Sequence, residues 1–152
     1  MQFKAWYGVV IILLVVSVIS VITNPSYERS IEAKYYYYTG EYKLAQTLAK
    51  EAFAMDPYNR MAATMMTQSK VSLDFVNYIN TAKKYQGQIN EMADGDSISK
   101  ASRAKIKLMC EIMIESYIKI SSTVVIDDVL VEDAQKYHDE FKALYEKVTP
   151  KL

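Results

Sequence analysis

The chain is short of the residues that staple, break or charge a fold. Its 152 residues include one cysteine and one histidine. One cysteine excludes an intrachain disulfide, and one of each excludes the common zinc sites, which draw their ligands from several cysteines and histidines. Four glycines and three prolines are too few for an all-β domain, which needs many turns. No Gly/Ser-rich linker and no low-complexity tract divides residues 24–152. A charge excess is missing too, because 18 acids balance 18 bases. Without a basic surplus there is no general field for phosphates, so nucleic acid is not an expected partner. The patterns G-x-x-x-x-G-K-[ST], G-x-S-x-G and H-E-x-x-H do not occur, which removes the phosphate loop, the nucleophile elbow and the zinc-protease helix. No catalytic residue, cofactor or metal ligand is expected.

What is present begins with an apolar run. Ala5 to Thr23 reads AWYGVVIILLVVSVISVIT, 19 residues without a charge. As a helix it would cover ~28 Å, close to the hydrocarbon core of a bilayer. Trp6 and Tyr7 stand at its start, where amphipathic rings favour an interface. Asn24-Pro25 marks its end, since proline disfavours helix in the residue before it. The run therefore predicts a transmembrane signal anchor over 5–23, preceded by a cytoplasmic N-terminus over 1–4. Two rivals are a cleaved secretory signal, which lacks an A-x-A site here, and a buried helix of a soluble domain. Lys4 on one flank and Arg29 with Lys34 on the other nearly tie as topology signals. The very short N-terminus favours N-in. In a bacterium this predicts a single-pass inner-membrane protein with its C-terminal domain in the periplasm.

Residues 24–152 carry all 18 acids and 17 of the 18 bases, and their length suits one domain. Ala, Lys, Glu, Met, Gln and Leu fill the segments between breakers. The pattern predicts helices at about 26–39, 42–55, 60–93, 98–121 and 127–148, the third with a break near Ser72 or Gly87. Asp96 or Ser97 can cap the fourth helix and Asp127 the fifth. The fourth carries Ile98, Ala101, Ile106, Leu108, Cys110, Ile112, Tyr117 and Ile118 on most of its faces, which predicts a central, well-covered helix. In the fifth, Leu130, Ala134, Tyr137, Phe141, Leu144, Tyr145 and Val148 form one apolar stripe. Thr123-Val124-Val125-Ile126 could be a strand but has no second strand to pair with, so a turn or helix start is expected.

The residues with chemical potential have plain structural readings. Cys110 sits in LMCEIMI, an apolar context that predicts a buried thiol. His138 sits in KYHDE and reads as a surface residue. Asp94-Gly95-Asp96 lacks the spacing of a calcium loop and reads as a turn. Asp127-Asp128 with Glu132-Asp133 suits the positive end of a helix dipole.

Residues 26–59, SYERSIEAKYYYYTGEYKLAQTLAKEAFAMDPYN, carry Ala33, Tyr36, Gly40, Tyr42, Ala45, Ala52, Asp56, Pro57 and Asn59 at telling positions. This segment resembles one tetratricopeptide repeat, a 34-residue helix–turn–helix unit. The resemblance implies small residues at the helix crossing (Ala33, Ala45), a tight turn at Gly40 with Tyr36 and Tyr42 packed around it, and close approach to the next helix at Ala52. It implies that Pro57 ends the unit and starts the following helix. Arg29, Glu32 and Ala49 depart from the pattern, and no second repeat follows from Arg60. The ligand face implied by position is Tyr27, Ser30, Lys34, Tyr37 and Tyr38, one stripe on the first helix; the alternative is that later helices bury these rings as core. The expected fold class is thus all-α: an N-terminal transmembrane helix, a tetratricopeptide-like hairpin over 24–59, and helices over 60–152 completing the same domain. The resemblance implies protein–protein binding; together with the anchor it predicts a non-catalytic binding or scaffold subunit of a bacterial cell-envelope assembly, such as a flagellar motor or secretion machine. Its expected partners are proteins of a membrane-associated complex, with the bilayer reached through residues 5–23. The alternatives are an accessory or regulatory subunit of an envelope enzyme, or a helical domain released by signal cleavage.

Overall fold

The computed structural model describes residues 2–22, 24–94, 98–120 and 124–149, with the side chains of the first helix described from Trp6 to Ile19. Among the described residues the structure is all helix: α1 (Gln2–Ile22), α2 (Pro25–Tyr38), α3 (Tyr42–Met55), α4 (Arg60–Ala93), α5 (Lys100–Ile120) and α6 (Asp128–Val148). They divide into two compact units, Met1–Lys70 and Val71–Leu152. The boundary falls inside α4, which runs through Ser72 and Gly87 without the expected break.

The membrane expectation is not upheld. Among the described residues no helix is long and apolar enough to cross a membrane. Of the expected 5–23 span, the side chains of Trp6 to Ile19 are described. The remainder of the expected 5–23 span lies outside the described side chains. The transmembrane part of the fold class falls with this finding. So do the inner-membrane location, the periplasmic side, and the cell-envelope and flagellar-motor reading that rested on them.

Short polar residues set the helix starts. The Asn24 side chain accepts from Ser26 N (2.9 Å) with Pro25 at the first helical position, where its missing N–H is not needed. Asp127 Oδ1 accepts from Val129 N at 3.0 Å and opens α6 as anticipated. Ser99 Oγ accepts from Ser102 N at 3.0 Å and opens α5; the expected caps Asp96 and Ser97 lie outside the described residues. Thr123 lies outside them too, and Val124 to Ile126 form no regular element. Pro57 does not start α4. It sits in a turn in which Asp56 Oδ1 accepts from Tyr58 N (2.9 Å), and α4 begins only after Asn59, whose side chain accepts from Ala62 N (3.2 Å).

In the first unit, α2 and α3 pack as an antiparallel hairpin. Gly40 lies at φ +83°, the one positive φ among the described residues. Gly40 N donates to Tyr37 O (3.1 Å) and Glu41 N to Tyr36 O (2.9 Å), which closes the helix end in the pattern a left-handed residue permits. An added Cβ at Gly40 would meet nothing within 4 Å. The barrier to substitution is therefore backbone strain alone. Gly40→Ala is expected to lower stability by about 1–2 kcal/mol, and Gly40→Val by somewhat more because branching narrows the left-handed region. Chemical denaturation of both variants checks this ordering. Ala33, Ala45, Ala49 and Ala52 are fully buried and let the helices approach closely. Across the turn the partner of Tyr42 is Tyr37, edge-on at 5.4 Å between ring centres, whereas Tyr36 packs edge-on against Tyr35 at 5.3 Å.

The second unit has its own apolar core. Phe75, Tyr78, Ile79, Ala82 and Ile89 of α4 meet Ile106, Met109, Cys110 and Met113 of α5 and Ala134 and Phe141 of α6, with Ile126 closing one end. Cys110 is free and fully buried, and burial pushes its thiol up to about 11, with Glu111 adding a smaller push. Burial also raises the Tyr78 phenol, helped by Tyr117 and Asp139. Both groups stay protonated in the folded chain at a pH where the unfolded chain has released its protons. The unfolded state then binds fewer protons, so stability falls as pH rises. Urea midpoints measured from pH 8 to 11 should decline from about pH 9 upward, and Cys110→Ala should flatten the first part of that decline. A midpoint independent of pH over this range would show that neither burial matters.

Candidate interaction face

The face begins with what α2 must hide. At 100° per residue, Ser26, Ser30, Ala33 and Tyr37 share one side of the helix, and all four are buried. Two of these are serines, and a buried hydroxyl needs partners. Asn59, fully buried at the start of α4, supplies them: its Nδ2 donates to Ser26 Oγ at 2.8 Å and to Ser30 Oγ at 2.9 Å. Ser26 Oγ donates to Ala52 O in α3 (2.8 Å), and Ser30 Oγ donates to Ser26 O (2.8 Å). With Asn59 Oδ1 accepting from Ala62 N, the network joins α2, α3 and α4 through fully used polar groups. Such a network fixes the rotation of α2 about its own axis, because a turned helix would strand buried donors.

That rotation decides what α2 shows. Tyr27, Ile31, Lys34 and Tyr38, spaced four, three and four residues apart, lie together about 90° from the buried side. Ile31 is 60% exposed and Tyr38 74% exposed; Lys34 is exposed and Tyr27 half-buried. Tyr35, 64% exposed, borders the stripe. Of the five residues placed on a ligand face by resemblance, Tyr27, Lys34 and Tyr38 lie on this stripe. Ser30 and Tyr37 do not: Ser30 is held in the Asn59 network, and Tyr37 is packed against Tyr42. The exposed side of α2 also carries Ile31 and, at its border, Tyr35, which the expected face did not include. Their signal was in the sequence, since Tyr27, Ile31, Tyr35 and Tyr38 form an i, i+4, i+8, i+11 ladder.

The second unit gathers a different set. Tyr117 stacks on His138 at 4.3 Å between ring centres and 25° between planes, and tilts against Tyr78 at 5.7 Å. Tyr117 OH donates to Gln135 Oε1 (2.6 Å), and Gln135 Nε2 donates to Asp139 (3.2 Å). His138 is thus half-buried against an aromatic ring and not the surface residue anticipated. Nearby, Asp74, Asn77, Tyr78 and Thr81 of α4 with Met113, Ser116 and Ile120 of α5 line a cleft of about 260 Å³. Among the described residues no group of acids, histidine and cysteine is placed to hold a metal ion. Comparison with known proteins returned no matching family model, no similar curated protein and no similar solved structure.

Proposed function

We propose that the first unit is a non-catalytic protein-binding module that uses the Tyr27–Ile31–Lys34–Tyr38 face of α2. The observation that carries this reading is the pairing of a fixed helix with an exposed amphipathic stripe. The Ser26–Ser30–Asn59 network sets the helix, and the stripe is left with apolar bodies and polar tips. Tyrosine gives large contact area at low entropic cost, and its hydroxyl stays useful at a partly wet interface. The tetratricopeptide-like reading of residues 26–59 is part of this proposal, since repeats of that kind present ligands to the first helix. A binding role also suits the two residues with catalytic potential. Cys110 is shut in the second core with its thiol pushed up, so it is a poor nucleophile. His138 is engaged face-on by Tyr117.

Tyr38→Ala and Ile31→Ala are expected to leave stability within about 1 kcal/mol, because both side chains are exposed. Each should weaken partner capture by up to about 2 kcal/mol, the scale of a central anchor. Tyr37→Ala should do the reverse, lowering the melting temperature through loss of its packing on Tyr42. Unchanged capture by both exposed-site variants, measured against the parent chain, would remove α2 as the binding face.

A further inference from the structure

We infer that a second copy of this chain docks antiparallel on α5, using the face turned away from the core of the second unit. The core side of α5 is Ile106, Met109, Cys110 and Met113. On the opposite side, Ala101, Ala104, Leu108 and Ile112 make an apolar stripe with Lys105, Glu115 and Lys119 along it. Leu108 is 55% exposed and Ile112 39% exposed, and Ala101, Ala104, Lys105, Glu115 and Lys119 are exposed as well. The central, well-covered helix anticipated from the sequence is therefore covered on one side only.

The charges on α5 identify the occupant. Lys100, Arg103, Lys105 and Lys107 fill its first eight residues, with no acid among them, while Glu111 and Glu115 follow in the second half. Bases at a helix N-terminus oppose the helix dipole and need compensation from elsewhere. Lys107 and Glu111 are held toward α6: their side chains approach to 3.8 Å, Tyr145 OH donates to Glu111 (3.2 Å), and the Lys107 ammonium lies 5.7 Å from the centre of the Tyr145 ring. Lys105 and Glu115 remain on the outer stripe, Glu115 with only a 4.0 Å approach to Lys119. Position 110 is the midpoint of Lys105 and Glu115, and also of Leu108 and Ile112. One antiparallel register, with its two-fold axis at the level of residue 110, therefore places Leu108 against Ile112 and Lys105 against Glu115. It does each twice. That is the self-complementary pattern of an isologous dimer, and Ala101 and Ala104 allow the helices to come close. The stripe is about 27 Å long, so the interface belongs to the small, weakly associating class.

The test uses the full-length chain carrying Lys105→Cys mixed with a differently tagged chain carrying Glu115→Cys, under mild oxidation. Cys110 is fully buried and does not compete. The expected product is the mixed 105–115 disulfide. Same-residue pairs should be rare, because two copies of position 105 are then ~15 Å apart along the axis. Sedimentation of charge variants supplies the second arm. Lys105→Glu should weaken self-association about fivefold or more, and the double change Lys105→Glu with Glu115→Lys should restore it to within about threefold. Same-residue disulfides as the main product, or none at all at several hundred micromolar, would overturn the pairing. So would a double variant no better than the single one. Association through any other face gives one of those results.

Discussion

Asn59→Ala is expected to lower the stability of the first unit by about 3 kcal/mol. Asn59 bonds to α2 and α4 directly and, through Ser26, is linked to α3. Its loss removes both donations to Ser26 and Ser30 and leaves those oxygens short of partners in a dry site, at about 1 kcal/mol or more for each compromised group. It also removes the side-chain acceptor that opens α4, a further ~1 kcal/mol, and leaves a small cavity. Ser26 Oγ and Ser30 Oγ still reach Ala52 O and Ser26 O, which keeps the total from rising higher. For a unit of this size the melting temperature should fall by roughly 12–24 °C. Hydrogen exchange should show lost protection in α2 and α3. A loss under 1 kcal/mol would mean that the buried network does not hold the hairpin.

Phe141→Ala is expected to be at least as damaging in the second unit, by about 3–5 kcal/mol. Phe141 is 2% exposed, and among the described side chains buried to that degree it is the largest. It stands on α6 and belongs to the core formed with Ile106, Met109, Cys110 and Met113. Removing the ring takes away both its transfer free energy and the contacts of its neighbours around a hole too large to collapse. The loss should appear as faster exchange in α5 and α6, with α2 and α3 little changed. Phe141→Leu, which keeps much of the volume, should recover more than half of the stability. A cost below about 1.5 kcal/mol for the alanine variant would place the core elsewhere.

The helices were largely legible in the sequence because their breakers are strong. Gly40, Asp56-Pro57 and Asp127 gave α2, α3 and α6 to within a residue or so, and the apolar stripe through Phe141 named the buried side of α6. The small residues Ala33, Ala45 and Ala52 are all fully buried. The interior of the hairpin was less readable for a physical reason. Ser26 and Ser30 are polar, and in one dimension a serine pair spaced i, i+4 looks like a wet surface. Only the arrival of Asn59, 29 and 33 residues later, makes them interior. The candidate face shifted for the same cause: once Ser30 points inward, the exposed stripe must pass through Ile31. His138 was misjudged because KYHDE is polar in sequence, while the ring it stacks on, Tyr117, comes from another helix. The apolar run at the N-terminus is the opposite case. Hydropathy predicted a span from composition alone, and among the described residues no helix is both long and apolar enough to cross a membrane.

The central claim is that the exposed side of α2 is where this protein meets a partner. Site-specific photo-crosslinking in the native cell tests it most directly, with a photoreactive phenylalanine placed in turn at Tyr38 and at Tyr58. Both positions are exposed, Tyr58 at 92%, but only Tyr38 lies on the stripe. The account predicts a discrete crosslinked species from position 38 that is lost when Ile31→Ala is added, and no such species from position 58. Equal products from both positions, or a product from 38 that survives Ile31→Ala unchanged, would contradict it.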